Sequence, residues 1–128
     1  TSNAMLMANL RRSVSIWNIN SFAEFFLQIL GKYERPYQQA MDDFRTERTR
    51  FVSELQSINY LRVVPSEANY LLCEVLPPHT PRELAIQLLK KHNILIKDCT
   101  SKCHAPYIRI AVRDTEDNNR LIEALKIL

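Results

Sequence analysis

The sequence predicts an α/β chain built as an α+β layer, with helices laid over one side of a small sheet. Three observations carry this. Two stretches with a helical apolar period come first. Four short runs of strand character follow, broken by prolines, polar loops and one well-punctuated helix. A last cappable, amphipathic stretch closes the chain.

Thr1-Ser2-Asn3-Ala4 reads as a cloning remnant ahead of Met5 and is left out of the fold expectation. Ser21-Phe22-Ala23-Glu24 has the spacing of a capping box, with Ser21 as cap and Glu24 returning a bond. Phe22, Phe25, Phe26, Ile29 and Leu30 then form an apolar stripe up to Gly31, the only glycine and a natural helix stop. A longer helix is expected from about Glu34 or Pro36 to Gln56. Its buried side is read as Tyr37, Ala40, Met41, Phe44, Phe51, Val52 and Leu55. The opposite side carries Asp42, Asp43, Arg45, Glu47, Arg48, Arg50 and Glu54, a mixed-sign surface that water solvates without any functional role.

After Asn59 the period changes. Residues 60–64 and 69–75 read as strands separated by Pro65-Ser66. Pro77-Pro78-His79-Thr80-Pro81 leads into a helix with Thr80 as cap, Pro81 at the first helical position and Glu83 completing the box. Lys90, Lys91 and His92 suit the C-terminal end of its dipole before Asn93. Residues 94–97 and 107–112 read as two more strands around a polar loop, and Asp114 or Thr115 caps a final helix carrying Leu121, Ile122 and Leu125.

With 128 residues, 46% of them hydrophobic and 24% charged, the chain suits one domain with its own core. A formal charge of +3, from 17 basic and 14 acidic residues, is spread along the chain and gives no nucleic-acid signature. No apolar run approaches the roughly 20 residues a membrane span needs. Three cysteines without a leader segment make a reducing, cytoplasmic setting the expectation. A single glycine excludes both G-x-G-x-x-G and a P-loop. No G-x-S-x-G or comparable setting marks a nucleophilic site. Cys99, Cys103 and His104 lack a convincing second pair of ligands, so no metal site is assigned.

Arg109 is the most informative residue. Within Tyr107-Ile108-Arg109-Ile110-Ala111-Val112, alternation puts Ile108, Ile110 and Val112 on one face and Arg109 on the other. A guanidinium held on a strand suits a planar carboxylate or a phosphate. The alternative is a structural ion pair with an acid on the covering helix. Lys97, at the end of the third strand, adds a positive charge beside Arg109 if the two strands are neighbours, and otherwise is a solvated lysine. Arg113 reads as a surface or capping partner. Ser66 and Asn69 frame a turn, where such residues ordinarily bond to nearby backbone.

Four stretches carry a resemblance when taken in order: Trp17-Asn18-Ile19-Asn20-Ser21, Val64-Pro65-Ser66-Glu67-Ala68-Asn69-Tyr70, Ile94-Leu95-Ile96-Lys97-Asp98-Cys99 and Tyr107-Ile108-Arg109-Ile110-Ala111-Val112. Over about residues 10–128 the chain resembles the C-terminal small domain of class I/II pyridoxal-phosphate-dependent aminotransferases, especially the branch of histidinol-phosphate aminotransferase and threonine-phosphate decarboxylase. The resemblance implies an inter-domain segment and helix over residues 5–33 and a small, substrate-side domain over residues 34–128. It further implies that Arg109 holds the substrate carboxylate and that Asn69 lines the substrate side of the cleft.

Lys97 falls where the family commonly has a second arginine. Lysine is a point charge and not a bidentate fork, so that departure weakens any transfer of phosphate specificity. None of the six lysines matches the segment that holds the cofactor. The expectation is thus a fragment with no catalytic residue, no cofactor and no activity alone. The longer parent would bind pyridoxal phosphate through an upstream large domain and act as a homodimer on an amino acid or amino-acid phosphate, with neither nucleic acid nor membrane as partner. The alternatives are a fragment of an amino-acid phosphate decarboxylase and a standalone α/β interaction or regulatory domain.

Overall fold

The computed structural model describes residues 3–13 and 19–128. Trp17 and Asn18 of the first resembling stretch lie outside the described residues. The chain divides into two compact units, one reaching Gln38 and the other spanning Gln39–Leu128.

The first unit holds α1 (Ala4–Ser13) and α2 (Ser21–Leu30). Helix α1 was not expected. It begins inside the stretch read as a remnant, where Asn3 accepts from the Leu6 N–H through its side chain at 2.9 Å. In α2 the cap is Asn20, not Ser21: extended backbone at Asn20 brings its side-chain oxygen 2.9 Å from the Ala23 N–H. Asparagine caps at least as well as serine, and with Asn20 in that place Ser21 becomes the first helical residue and the expected box with Glu24 does not form. Gly31 stays right-handed at φ −59°, so the helix ends without using glycine's left-handed freedom.

The second unit holds most of α3 (Glu34–Gln56), then β1 (Leu61–Val63), β2 (Tyr70–Val75), α4 (Pro81–His92), β3 (Lys97–Asp98), α5 (Thr100–Cys103), β4 (Tyr107–Ala111) and α6 (Thr115–Lys126). The strands form one antiparallel sheet in the order β1-β2-β4-β3. Leu71, Cys73, Val75, Ile108 and Ile110 from one of its faces join Phe51 and Leu55 of α3, Leu84 and Leu88 of α4, and Leu121, Ile122 and Leu125 of α6 in a single core. The fold is therefore the expected α+β layer, with the helices on one side.

Only the C-terminal half of α3 carries fully buried residues, whereas Tyr37 and Ala40 are exposed. Periodicity reports which side of a helix is apolar, not how far along it a partner extends. The third strand is also shorter than expected. Asn93 takes the left-handed conformation at φ 55° and returns its N–H to Leu88 and Leu89, a C-terminal cap that turns the chain. Ile96 is buried and Leu95 exposed, so residues 94–96 keep their alternation without joining the ladder. Thr80 caps α4 as expected, accepting from the Glu83 N–H, and Asp114 caps α6.

Thr115 is thereby freed to bond elsewhere. Its hydroxyl donates to Glu47 at 2.9 Å, and the buried Asn118 donates to the same carboxylate at 2.8 Å. Asn118 also donates to the Arg113 carbonyl at 2.9 Å and accepts from the Arg113 N–H at 3.0 Å. Arg50 closes the cluster with two bonds to Glu47, at 2.9 and 2.6 Å. Glu47 and Arg50 thus leave the solvated role read for them and bind α3 to the end of β4 and the start of α6.

Replacing Asn118 with alanine strands a carboxylate lone pair and both polar groups of Arg113, so stability should fall by about 2–3 kcal/mol in urea unfolding. The carboxyl of Glu47 is held at about 2, below its ordinary 4.5, chiefly by the bond from Arg50, against the opposing effect of burial and with help from Asn118 and Thr115. A carboxylate depressed on folding stabilises above its unfolded value and loses that contribution as pH falls through the folded one. Glu47→Gln should therefore flatten the decline in stability between about pH 4.5 and pH 2, measured by denaturant midpoints across that range.

Candidate functional site

The sheet's second face is not covered by the core helices, and it carries two of the three predicted residues, Arg109 and Lys97. In β4 burial alternates strictly: Ile108 and Ile110 are buried, Arg109 and Ala111 exposed. Arg109 lies directly opposite Leu72 on one side and Lys97 on the other. Cross-strand partners share a face, so the two cations stand side by side across β3 and β4. The neighbouring-strand condition attached to Lys97 is met.

Charge on this face is uneven. Glu74 of β2 is taken by Arg62 of β1 at 2.9 Å. Among the described residues Arg109 has no carboxylate partner, and its guanidinium instead lies over the Tyr70 ring, 5.3 Å from the centroid. The ion pair with a covering helix, the structural alternative for Arg109, is absent because alternation points the side chain away from those helices. Arg113 makes such a pair, with Asp117 one turn into α6.

Asn69 stands one residue before β2, exposed, with its backbone carbonyl accepting from the Val112 N–H at 2.9 Å. That bond closes the sheet between the 65–69 turn and the end of β4. Ser66 supports the turn from within, donating to the Tyr70 carbonyl at 2.8 Å and accepting from the Ala68 N–H at 3.1 Å. Arg48 supports it from α3: it pairs with the Glu67 carboxylate and donates to the Glu67 carbonyl, and its side chain is only 13% exposed. Sequence reading had placed Arg48 on a solvated surface. A basic residue on a helix carries no mark of the distant loop it reaches, so no local signal separates it from Arg45. Tyr70, the last residue of the 64–70 stretch, carries no local mark of its contact with the guanidinium, and its place two residues from the register of Arg109 follows only once β2 and β4 are paired.

The remaining candidates do not converge here. Cys73 sits in the core, where burial pushes its thiol up to about 12. Cys99 is buried and Cys103 exposed, and no group of three potential metal ligands exists among the described residues. A cavity of about 260 Å³ opens beside β4, lined by Ile94, Ile96, Ile110, Arg113, Asn118 and Arg120 among others. Both of its arginines are engaged, Arg113 with Asp117 and Arg120 with the His92 carbonyl at 2.6 Å. No helix among the described residues is long and apolar enough to cross a membrane.

Fold and site together define an α+β domain that presents a cationic, open sheet face. Residues 3–125 match the class I and II aminotransferases, and the chain belongs to that family. It is 30% identical over 128 residues to the CMP-5'-(3-aminopropyl)phosphonate synthase of Streptomyces rubellomurinus, covering 98% of this chain and 20% of that protein. Among solved structures it is similar to a decarboxylase from Sulfurospirillum multivorans, with TM-score 0.81 and 26% identity over 98% of this chain and 36% of the other. The histidinol-phosphate aminotransferase from Clostridium acetobutylicum gives TM-score 0.76 and 29% identity over 98% and 38%. The chain therefore spans 20–38% of the lengths of these relatives. Transferases and decarboxylases both occur among them, and what they share with the chain is the superfamily.

Family membership implies pyridoxal phosphate as the cofactor of a full-length parent, a group that enzymes hold through a lysine amine. All six lysines here are exposed. Solvent-facing lysines give no enclosed seat for such a group, and the residues present do not make a pyridoxal-phosphate site.

Proposed function

We propose that this chain is the substrate-side small domain of a pyridoxal-phosphate-dependent aminotransferase. In this reading Arg109 grips the substrate carboxylate, Lys97 adds positive potential beside it, and Asn69 lines the edge of the cleft. The observation that carries the reading is an arginine on the open sheet face with no carboxylate partner among the described residues. Such a guanidinium is available for a planar anion, to which it can make two charge-assisted bonds.

The cofactor, its lysine and its acidic partner belong in this proposal to the upstream remainder of a longer polypeptide. The short span against the relatives and the exposure of every lysine support that division. Residues 5–33 are then the connection between domains. Phe22 and Phe25 of α2, 85% and 60% exposed, supply apolar surface for the missing partner.

A second reading, decarboxylation of an amino-acid phosphate, is favoured by Lys97 standing directly across from Arg109, since two adjacent cations suit a substrate with two anionic groups. Two features favour transfer. Lysine lacks the bidentate fork that a phosphate site exploits. A decarboxylase must also release the carboxylate that a firm arginine holds.

In the longer enzyme, Arg109→Ala should lower kcat/KM by about 10- to 100-fold, mainly through KM, because it removes a charged hydrogen-bonding partner of the substrate. The absorbance of the bound cofactor should not change. Steady-state kinetics with an unaltered KM would refute the assignment. The 128-residue chain by itself, mixed with pyridoxal phosphate and freed of excess, should retain no cofactor absorbance. A stoichiometric band that borohydride fixes on one lysine would overturn the proposed division of labour.

A further inference from the structure

Arginine side chains on an open sheet are long and free to sweep, and much of the binding strength of a charged hydrogen bond is lost in ordering them. Arg109 is treated differently by its surroundings. Tyr70 pairs with Ala111 while Leu72 pairs with Arg109, so Tyr70 is the diagonal neighbour of Arg109 on the same face. That offset is within reach of an aromatic ring and a long side chain. The guanidinium carbon lies over the Tyr70 ring, 5.3 Å from its centroid, where the π face attracts a cation. On the opposite side Lys97 carries a like charge and disfavours a swing toward β3.

The ring itself has a fixed origin. The Tyr70 carbonyl accepts from Ser66, the Asn69 carbonyl accepts from Val112, and Arg48 holds the turn through Glu67. A chain of contacts thus runs from α3 through the 65–69 turn to the ring and on to the guanidinium. Tyr70 is 43% exposed, which is little burial for a residue whose purpose would be core packing.

We infer that Tyr70 is the positioning residue for Arg109: its ring holds the guanidinium in one place on the open face and leaves the N–H groups at the edge of the guanidinium plane free for an incoming carboxylate. This rests on the reading of Arg109 as the carboxylate grip and extends it to a residue that acts through Arg109 without touching the substrate. The aromatic face is the active part, and the hydroxyl is dispensable.

The test uses the isotopically labelled 128-residue chain, with Tyr70→Phe, Tyr70→Leu and Arg109→Gln variants. Without ligand, the order parameter of the Arg109 Nε–Hε group should be high in the wild type and in Tyr70→Phe and should fall in Tyr70→Leu. The amide shifts of Val75 and Leu121, away from both substituted positions, should stay put in every variant, showing an intact sheet and core. Titration with succinate should move the Arg109 side-chain signal saturably, with affinity kept in Tyr70→Phe, about two- to fivefold weaker in Tyr70→Leu, and lost in Arg109→Gln. Unchanged Arg109 order and unchanged succinate affinity in Tyr70→Leu would overturn the positioning role while the carboxylate reading stood. A wild-type chain with no Arg109-dependent succinate shift would overturn the carboxylate reading itself, and with it the purpose assigned to Tyr70.

Discussion

The two-residue repeat of β4 is the constraint on which the rest of the molecule turns. Ile108 and Ile110 enter the core between β2 and the helices, and this forces Arg109 to the opposite face. A slip of one residue would put a guanidinium among Leu71, Leu88 and Leu125 and expose two isoleucines. Neither half of that exchange is tolerable, since an unpaired buried charge costs several kcal/mol and each isoleucine forfeits about 1.5–3 kcal/mol of burial. The hydrophobic core thereby determines on which face the Arg109 charge stands.

Around that sheet the polar contacts act as ties between distant segments. Glu47 and Asn118 join the middle of α3 to the entry of α6, Lys126 reaches Glu54 at 2.9 Å, and the buried Tyr60 hydroxyl donates to the Leu125 carbonyl at the far end. Helix α6 is therefore held at both ends over a face that its apolar side chains already cover. Arg48 performs the same service for the 65–69 turn. Three acids near the sheet and its turn are occupied by these ties, with Glu74 on Arg62, Glu67 on Arg48 and Glu47 on Arg50. Arg109 and Lys97 are exposed, and among the described residues neither closes a salt bridge.

A pair of cations on adjacent strands weakens a sheet slightly in isolation. In the proposed reading an anion entering between them relieves that repulsion. In the proposed setting that anion arrives with a substrate held by another domain, so the small domain contributes orientation and charge while covalent chemistry stays elsewhere.

Much of this was legible in the residues alone. The order of the main elements, the cap at Thr80, a cap at Asp114 or Thr115, and the face of Arg109 follow from local chemistry, because a cap, a proline or a two-residue alternation acts within a few residues of itself. The pairing of Lys97 with Arg109, the tie from Arg48 to the 65–69 turn, the seat of Tyr70 beneath a guanidinium and the Glu47–Asn118 cluster did not follow. Each joins groups from 12 to 71 positions apart, and only the packing of helices on one side of the sheet brings them within reach. The shortening of β3 and the exposure of the first half of α3 have the same origin. Apolar periodicity marks a surface as fit for burial, and whether a partner covers it is decided by the tertiary structure.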